Sequence, residues 1–419
     1  MNTSTFKVAL RGLIRRKFFT FISLFGIAFT LLMILVVSAV LDHAVGPHAP
    51  ETHSDRSLYV IGMRLKGPSW TNTSGAGYGF LDAELRDLPG AERVTFYTMP
   101  SQAVSYVDGR KVKSYLKRTD AAFWTILDFK FLEGGPLTAD DDKNANFVAV
   151  INESTRDRFF SGQPALGKTV EVAGQRFRVA GVVRDVPSTR WLIFSDVWVP
   201  IATMKGDAWR HETLGGFGAL VLAKDRRDFP ALQAEFQSRV RRHPLPDPAH
   251  FDRLDGSLDT LFGSVARDFF DMPSDDGSPL GFSAATKLRI GLAFFAVLFM
   301  ALPAINLVNI NLSRILDRSS EIGVRKAFGA TSRVLVAQFV AENVMLTLIG
   351  GALAAAGSTL VLAAINASGL LPYSRLSVNL RVLFWGLVAA VFFGVISGVY
   401  PAWRMSRLHP ADALRGHAS

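Results

Sequence analysis

The chain has 419 residues, of which 49% are hydrophobic and 20% are charged, and its formal net charge is +10. This balance predicts a membrane protein that carries a soluble domain, and it excludes a simple bundle of membrane helices. Residues 1–17 contain five basic side chains and no acid, and residues 288–419 contain 11 basic and four acidic ones, which leaves −2 for the rest. Because the basic excess lies beside the apolar segments, it follows the positive-inside rule and is not a nucleic-acid-binding surface.

The N-terminal segment, residues 1–17, predicts an amphipathic helix along the cytoplasmic face of the membrane, because its apolar residues lie opposite its basic ones. Phe18–Leu41 then carries no charge over 24 residues. As a helix this stretch is about 36 Å long, against a hydrocarbon core of about 30 Å. It is longer than the apolar run of a signal peptide, about 7 to 15 residues, so we expect a first membrane helix at 18–41.

Residues 42–285 predict an α+β domain outside the cytoplasm, without disulfides because the chain has no cysteine. A helix is expected at Leu81–Leu88 and another at Ser154–Phe160. The proline-rich segment His243–Gly281 predicts a loop or a return path to the membrane. The expected strands are Ser57–Ile61, Phe147–Ile151, Lys168–Val172, Gln175–Val183 and Val197–Ile201.

Residues 162–169 read GQPALGKT and fit the phosphate-loop pattern G-x-x-x-x-G-K-[ST]. A phosphate loop needs a strand before it and a helix after it, so that helical N–H groups point at the phosphates. Here a predicted helix precedes the motif and an alternating, strand-like run follows it. We therefore expect neither nucleotide binding nor any other cofactor.

The remaining polar clusters indicate no catalytic or metal site. His43, His48 and His53 lie near acidic residues, but Pro47 and Pro50 interrupt any regular element that would align them, so a solvated linker is expected. The acidic runs at 140–142 and 275–276 are typical of surface turns. The sequence predicts a chain that is not an enzyme.

Three more uncharged stretches, Ile290–Ser313, Asn343–Ser374 and Val382–Trp403, predict membrane helices at about 290–313, 338–365 and 382–403. The loop at about 314–333 and the C-terminal tail are basic, which places both with the N-terminus in the cytoplasm. The fold class is therefore four transmembrane helices, arranged one plus three, with the α+β domain between the first two. Gly394 and Gly398 form a small-xxx-small pattern that favours close helix packing.

Residues 321–331 read EIGVRKAFGAT, and the C-terminal tail contains YPAWR at 400–404 and PADALR at 410–415. These motifs resemble the FtsX-like permease family, the membrane subunits of MacB-type ABC transporters. The segments 147–152, 165–172 and 177–183 are similar to the MacB-type periplasmic core domain. The resemblance assigns 42–285 to that core domain and 286–419 to the FtsX-like permease domain.

The resemblance implies a non-catalytic permease subunit in the bacterial plasma membrane that works with a separate cytoplasmic ABC ATPase. It also implies a homodimer or a heterodimer with a related permease, and it leaves a periplasmic adaptor open. Export of a peptide, an antibiotic or a lipid is the expected function. The alternative is a regulator that passes force to an extracytoplasmic partner such as a cell-wall hydrolase. In the family a short coupling helix contacts the ATPase, and the matching residues here are Glu321, Gly323, Arg325, Lys326, Gly329 and Ala330.

Overall fold

The computed structural model describes residues 17–107, 110–270, 283–317 and 331–406. The chain divides into two compact units. The membrane unit comprises Met1–Leu41, Ile290–Leu370 and Leu376–Ser419, and the outer unit comprises Asp42–Arg289 together with Leu371–Arg375. The short segment Leu371–Arg375 is the connection between two membrane helices, yet it belongs to the outer unit.

Helices in the described part of the chain are α1 (Lys17–Val45), α2 (Tyr78–Glu84), α3 (Ala121–Ile126), α4 (Ala139–Lys143), α5 (Glu153–Phe160), α6 (Phe229–Arg242), α7 (Leu261–Phe269), α8 (Ala284–Asp317), α9 (Ser332–Ser368) and α10 (Leu380–Ser406). The strands are β1 (Ser57–Val60), β2 (Met63–Lys66), β3 (Thr71–Ala76), β4 (Ala91–Thr98), β5 (Ser101–Val107), β6 (Arg110–Thr119), β7 (Phe131–Gly134), β8 (Val148–Asn152), β9 (Thr169–Val172), β10 (Gln175–Val183), β11 (Val197–Pro200), β12 (Leu214–Gly215), β13 (Phe217–Ala223) and β14 (Arg253–Gly256).

Four helices of the described residues, α1, α8, α9 and α10, are long and apolar enough to cross a membrane. This confirms the predicted arrangement of one helix before the outer domain and three after it. Helix α9 begins six residues before the predicted range 338–365 and ends three residues after it, well before the end of the uncharged stretch 343–374. Helix α9 ends at Ser368, and Gly369 follows in the left-handed conformation with φ of 67°. Glycine adopts this conformation without steric cost, so it ends the helix.

Within the membrane unit, α1 packs against α9 through a cluster that includes Leu31, Leu35 and Leu346. The α9 residue Asn343 donates a hydrogen bond from Nδ2 to the Gly394 carbonyl oxygen of α10, at 3.2 Å. A Cβ atom on Gly394 would lie 2.8 Å from Thr347 Oγ1, which is closer than real Cβ contacts. A side chain at position 394 would therefore require Thr347 to shift, and Gly398 lies one turn further along α10.

The outer unit is built on a 14-stranded sheet with the main order β14-β2-β3-β13-β4-β6-β11-β8-β10-β7. The β6–β11 and β8–β10 pairs are parallel, and the other named pairs are antiparallel, including the β5–β6 hairpin. Helix α6 buries Phe229, Leu232 and Phe236 in one hydrophobic cluster, and a second cluster surrounds Trp198 of β11. The sheet thus holds the core on which the loops described below are fixed.

The five strands predicted from sequence are confirmed as β1, β8, β9, β10 and β11 to within one or two residues, and α5 is confirmed at Glu153–Phe160. Helix α2 lies earlier than predicted, at Tyr78–Glu84. The prediction that His243–Gly281 is a loop is wrong, because β14 pairs with β2 and α7 follows at Leu261–Phe269. The acidic run at 140–142 lies in α4 and not in a turn, since Thr138 caps that helix through a reciprocal hydrogen bond with Asp141.

The motif at 162–169 follows helix α5 and leads into strand β9, the order predicted from sequence and the reverse of that in a phosphate loop. Its backbone N–H groups are bound within the domain. Glu133 Oε2 accepts from the N–H of Ala165 at 2.9 Å and of Leu166 at 3.3 Å, and the N–H of Gly167 donates to the Val179 carbonyl at 2.9 Å. The Glu133 carboxylate thus accepts from two of the backbone N–H groups that would face a phosphate in a phosphate loop.

Candidate functional site

The residues predicted to contact an ATPase, Glu321, Gly323, Arg325, Lys326, Gly329 and Ala330, lie outside the described residues, as does most of the N-terminal segment 1–17. The described chain instead shows a different group of residues, joined by buried polar contacts. These residues lie in the outer unit, where the chain enters it from α1 and where it returns between α9 and α10. We name three segments: the exit segment (residues 42–51), the anchor loop (residues 187–196) and the return segment (Leu371–Arg375).

The exit segment is held by a buried ion pair. Arg190 of the anchor loop donates from Nη1 to Glu51 Oε2 at 2.6 Å, and the two side chains are 1% and 2% exposed. The second nitrogen, Nη2, donates to the Gly46 carbonyl oxygen at 2.8 Å. Tyr59 of β1 donates to the other Glu51 oxygen at 3.1 Å. The prediction that this segment is a solvated linker is therefore wrong at Glu51, which is buried and bound on both oxygens.

The two histidines of the exit segment contact neighbouring side chains of the outer unit. His43 Nδ1 lies 2.8 Å from Thr189 Oγ1 of the anchor loop, and His48 Nε2 lies 3.3 Å from Asp42 Oδ2. In the parts of the chain that the structure describes, no group of three or more histidine, cysteine, aspartate or glutamate residues could hold a metal ion. His43 instead adds a further contact between the exit segment and the anchor loop.

The return segment is held by Tyr373. Its hydroxyl donates to Asp196 Oδ1 at 3.0 Å, and its ring packs beside Phe194 with a centroid distance of 6.2 Å. Ser188 donates its backbone N–H to the Pro372 carbonyl oxygen at 3.0 Å. Burial, followed by the negative charge of Asp196, raises the pKa of Tyr373 to about 12, so the hydroxyl stays a donor at neutral pH.

Asp196 fixes the end of the anchor loop to the sheet as well. Its Oδ1 accepts from Arg158 at 3.0 Å and from Asn152 at 3.2 Å, and its Oδ2 accepts from the Tyr115 N–H at 2.8 Å. With Tyr373 this gives four donors to one carboxylate that is almost fully buried. Burial of a charge is tolerated when its hydrogen bonds are complete, so the geometry of this cluster is closely constrained.

Lys117 of β6 supports the middle of the anchor loop. Its Nζ donates to the carbonyl oxygens of Thr98 and Leu192, both at 2.9 Å, and lies 4.9 Å from the centre of the Tyr97 ring. Burial lowers the pKa of Lys117 to about 7, and the negative charge of Glu51 acts in the opposite direction. Burial likewise raises the pKa of Glu51, against the positive charge of Arg190. Glu51, Arg190 and Lys117 therefore interact electrostatically as one buried group beside the anchor loop.

One loop thus binds both the segment that follows α1 and the segment between α9 and α10. The chain passes between the two units at four points, and the anchor loop holds the outer-unit side of three of them. The sequence offered only weak signals for this arrangement: a proline-flanked run, PSTRWLIF, at 187–194, and PYSR inside an otherwise uncharged stretch.

Two family profiles match this chain and together cover most of its length. The sequence profile of the MacB-like periplasmic core domain matches residues 20–239, and that of the FtsX-like permease C-terminal matches residues 293–410. The chain belongs to the MacB-type, FtsX-like family of ABC transporter permeases.

Relatives of this permease share its length or exceed it. The uncharacterized ABC transporter permease YknZ of Bacillus subtilis (strain 168) is 23% identical, and the match covers 98% of both chains. The macrolide export ATP-binding/permease protein MacB of Escherichia coli is 24% identical over 97% of this chain but only 60% of its own length. The periplasmic region of MacB from Actinobacillus actinomycetemcomitans aligns with 44% of this chain at 20% identity and a TM-score of 0.35.

A double-mutant cycle on the buried ion pair tests how strongly the anchor loop holds the exit segment. We expect Glu51→Gln and Arg190→Met each to lower the free energy of unfolding by about 3–5 kcal/mol, because each leaves a buried charge unpaired. The double variant should lose less unfolding free energy than the two single variants lose together. The measurement is urea unfolding of the full permease in detergent, followed by tryptophan fluorescence.

The matched control for that cycle is Arg176→Met, which removes an exposed pair with Glu171 whose side chains are 80% and 54% exposed. Its expected cost is about 0–1 kcal/mol. Additive losses in the cycle, or single losses no larger than that of the control, would show that the buried pair does not fix the loop.

The pH dependence of stability tests the state of Lys117. Burial lowers the pKa of Lys117 from its ordinary value of 10.5 to about 7. Between these two pH values, the unfolded chain carries a proton on Lys117 that the folded chain lacks. Stability contributed by this group therefore rises with pH across that range. We expect the unfolding free energy of the wild type, relative to Lys117→Met, to increase from pH 7 to pH 9. A difference that stays constant over this range would contradict the lowered pKa.

Proposed function

We propose that this permease transmits ATP-driven movement from a separate cytoplasmic ABC ATPase to its outer domain, and that this movement exports a substrate. The observation that carries the proposal is the anchoring of the exit and return segments on one loop. Arg190 binds the buried Glu51 and Tyr373 binds the buried Asp196, so both segments are tied to the same sheet. Displacement of the adjoining membrane helices would then move the outer domain as a body.

The proposal places both termini in the cytoplasm and the outer domain on the opposite face of the bacterial plasma membrane. The distribution of basic residues supports this orientation. The names of the MacB relatives combine ATP binding and permease activity, whereas this chain covers 60% of the Escherichia coli protein and 40% of the one from Bdellovibrio bacteriovorus. In the proposed assembly the ATPase is a partner chain, and two permease chains, identical or related, flank one ATPase pair.

The ATPase contact is proposed at residues 321–330. Glu321 and Arg325 lie four positions apart, a spacing that supports a short helix, and Gly329 and Ala330 are small enough for close approach. Arg325→Glu with Gly329→Trp should weaken retention of the ATPase on the tagged permease by at least about tenfold, through charge reversal and bulk. The measurement is co-purification of the ATPase together with the ATP hydrolysis rate of the reconstituted complex.

The matched control is Arg381→Glu, an equal charge reversal at the start of α10, on the opposite side of the membrane in the proposed topology. It should retain the ATPase as the wild type does. If the double variant held the ATPase and coupled hydrolysis normally, the interface would be assigned wrongly. If the wild-type chain bound no ATPase at all, the transport function itself would be wrong.

A further inference from the structure

A cavity of about 230 Å³ opens in the outer unit between β2, β3, β14, helix α7 and the anchor loop. Its walls include Ile61, Thr73, Trp191, Ser264, Val265 and Asp268. Drug-sized ligands occupy pockets of about 300–1,000 Å³, so this cavity accommodates a small molecule or one part of a larger one. Nothing in the anchoring described above uses these side chains for its contacts.

One side of the cavity is apolar and open to solvent. Trp191 is 39% exposed and Val265 is 42% exposed, and Ile61 lies beside them, partly buried. An indole held at the wall of a cavity offers a flat apolar surface with a negative face, which attracts both ring systems and cations. This side is therefore suited to the apolar part of an amphipathic ligand.

The charged groups of the cavity divide into those already paired and one that is not. Asp255 is bound by Arg253 at 2.8 Å, and Arg267 by Asp259 at 2.8 Å. Arg64 also has an interaction of its own. The Asp268 carboxylate, at the exposed end of α7, has no ion-pair partner within the described ranges, and its charge is available to a ligand.

A hydroxyl adds a second polar group. Ser264 Oγ is buried and has no hydrogen-bond partner among the residues that the structure describes. It lines the cavity one turn before Asp268 on helix α7. A buried polar group without a partner costs free energy, so a ligand that bonds to it is favoured.

We propose that this cavity binds a small amphipathic amine, with its protonated nitrogen at Asp268 and its apolar ring against Trp191 and Val265. Ser264 supplies a hydrogen bond to the same polar end. The ligand is the cargo, or the recognised part of the cargo, and this assignment to cargo rests on the proposed export function. Trp191 adjoins Arg190 in the anchor loop, so movement of the exit segment would displace one wall of the cavity and change its affinity.

The test uses the full permease in detergent, without ATPase or nucleotide, labelled with 5-fluorotryptophan. The ¹⁹F resonance of Trp191 is assigned by its absence in Trp191→Phe. Phenethylamine is titrated beside its neutral and anionic analogues, 2-phenylethanol and 3-phenylpropanoate. We expect a saturable shift of the Trp191 resonance, with the amine binding about tenfold more tightly than the alcohol and the acid binding most weakly.

Asp268→Asn should bring the affinity for phenethylamine down to that of the alcohol. The control Asp128→Asn removes an exposed carboxylate elsewhere in the outer unit and should leave the preference intact. Unchanged resonances of the buried Trp124 and Trp198 show that each variant is folded. Equal responses to the three probes, or equal behaviour of the two variants, would overturn the proposal. Because no ATPase is present, that failure would leave the export function untouched.

Discussion

The buried ion pair between Arg190 and Glu51 is the constraint on which the placement of the surrounding segments depends. Two charges removed from water cost several kcal/mol each unless their partners and hydrogen bonds are complete. Here the bonds are completed by Gly46 of the exit segment and Tyr59 of the sheet, so the pair is satisfied only when both are in place. The same loop ends at Asp196, whose four donors include Tyr373. A single loop therefore sets the position of the polypeptide after α1 and of the connection between α9 and α10.

In the proposed function, this arrangement couples the membrane helices to the outer domain. A coupling element must be stiff, and stiffness here comes from buried polar groups whose geometry tolerates little change. Trp191 follows Arg190 in the anchor loop, and its side chain forms part of the wall of the cavity. Movement of the loop would therefore also move that wall. The residue that holds the exit segment and the residue that lines the proposed binding cavity are thus adjacent. This arrangement is expected if movement of the membrane helices is to alter the affinity for cargo.

The parts of the fold that depend on local patterns could be predicted from sequence, and the parts that depend on distant contacts could not. Uncharged length located the four membrane helices, and β-branched runs located β8, β10 and β11 almost to the residue. Arg190 and Glu51 lie 139 residues apart, so no spacing rule connects them. Tyr373 lies beyond the predicted end of the third membrane helix, in a stretch where the sequence marked no contact. Strand β14 lies among prolines that flank the strand without entering it. The motif at 162–169 shows the reverse case: its exact local match suggested a phosphate loop, whereas the patterns beside it predicted the helix and strand that flank it.

We infer that nucleotide-driven movement reaches the outer domain through the anchor loop. Because the chain has no cysteine, Lys143→Cys in the exposed helix α4 gives a single spin-label site on each copy. Pulsed electron paramagnetic resonance then measures the distance between the labels of two permease chains in the complex with the ATPase. We expect a non-hydrolysable ATP analogue to change this distance by several ångströms in the wild type. Tyr373→Phe combined with Arg190→Met should suppress the change while the ATPase stays bound. The inference would be contradicted if the distance did not change with nucleotide in an active complex, or if the variant showed the full change of the wild type.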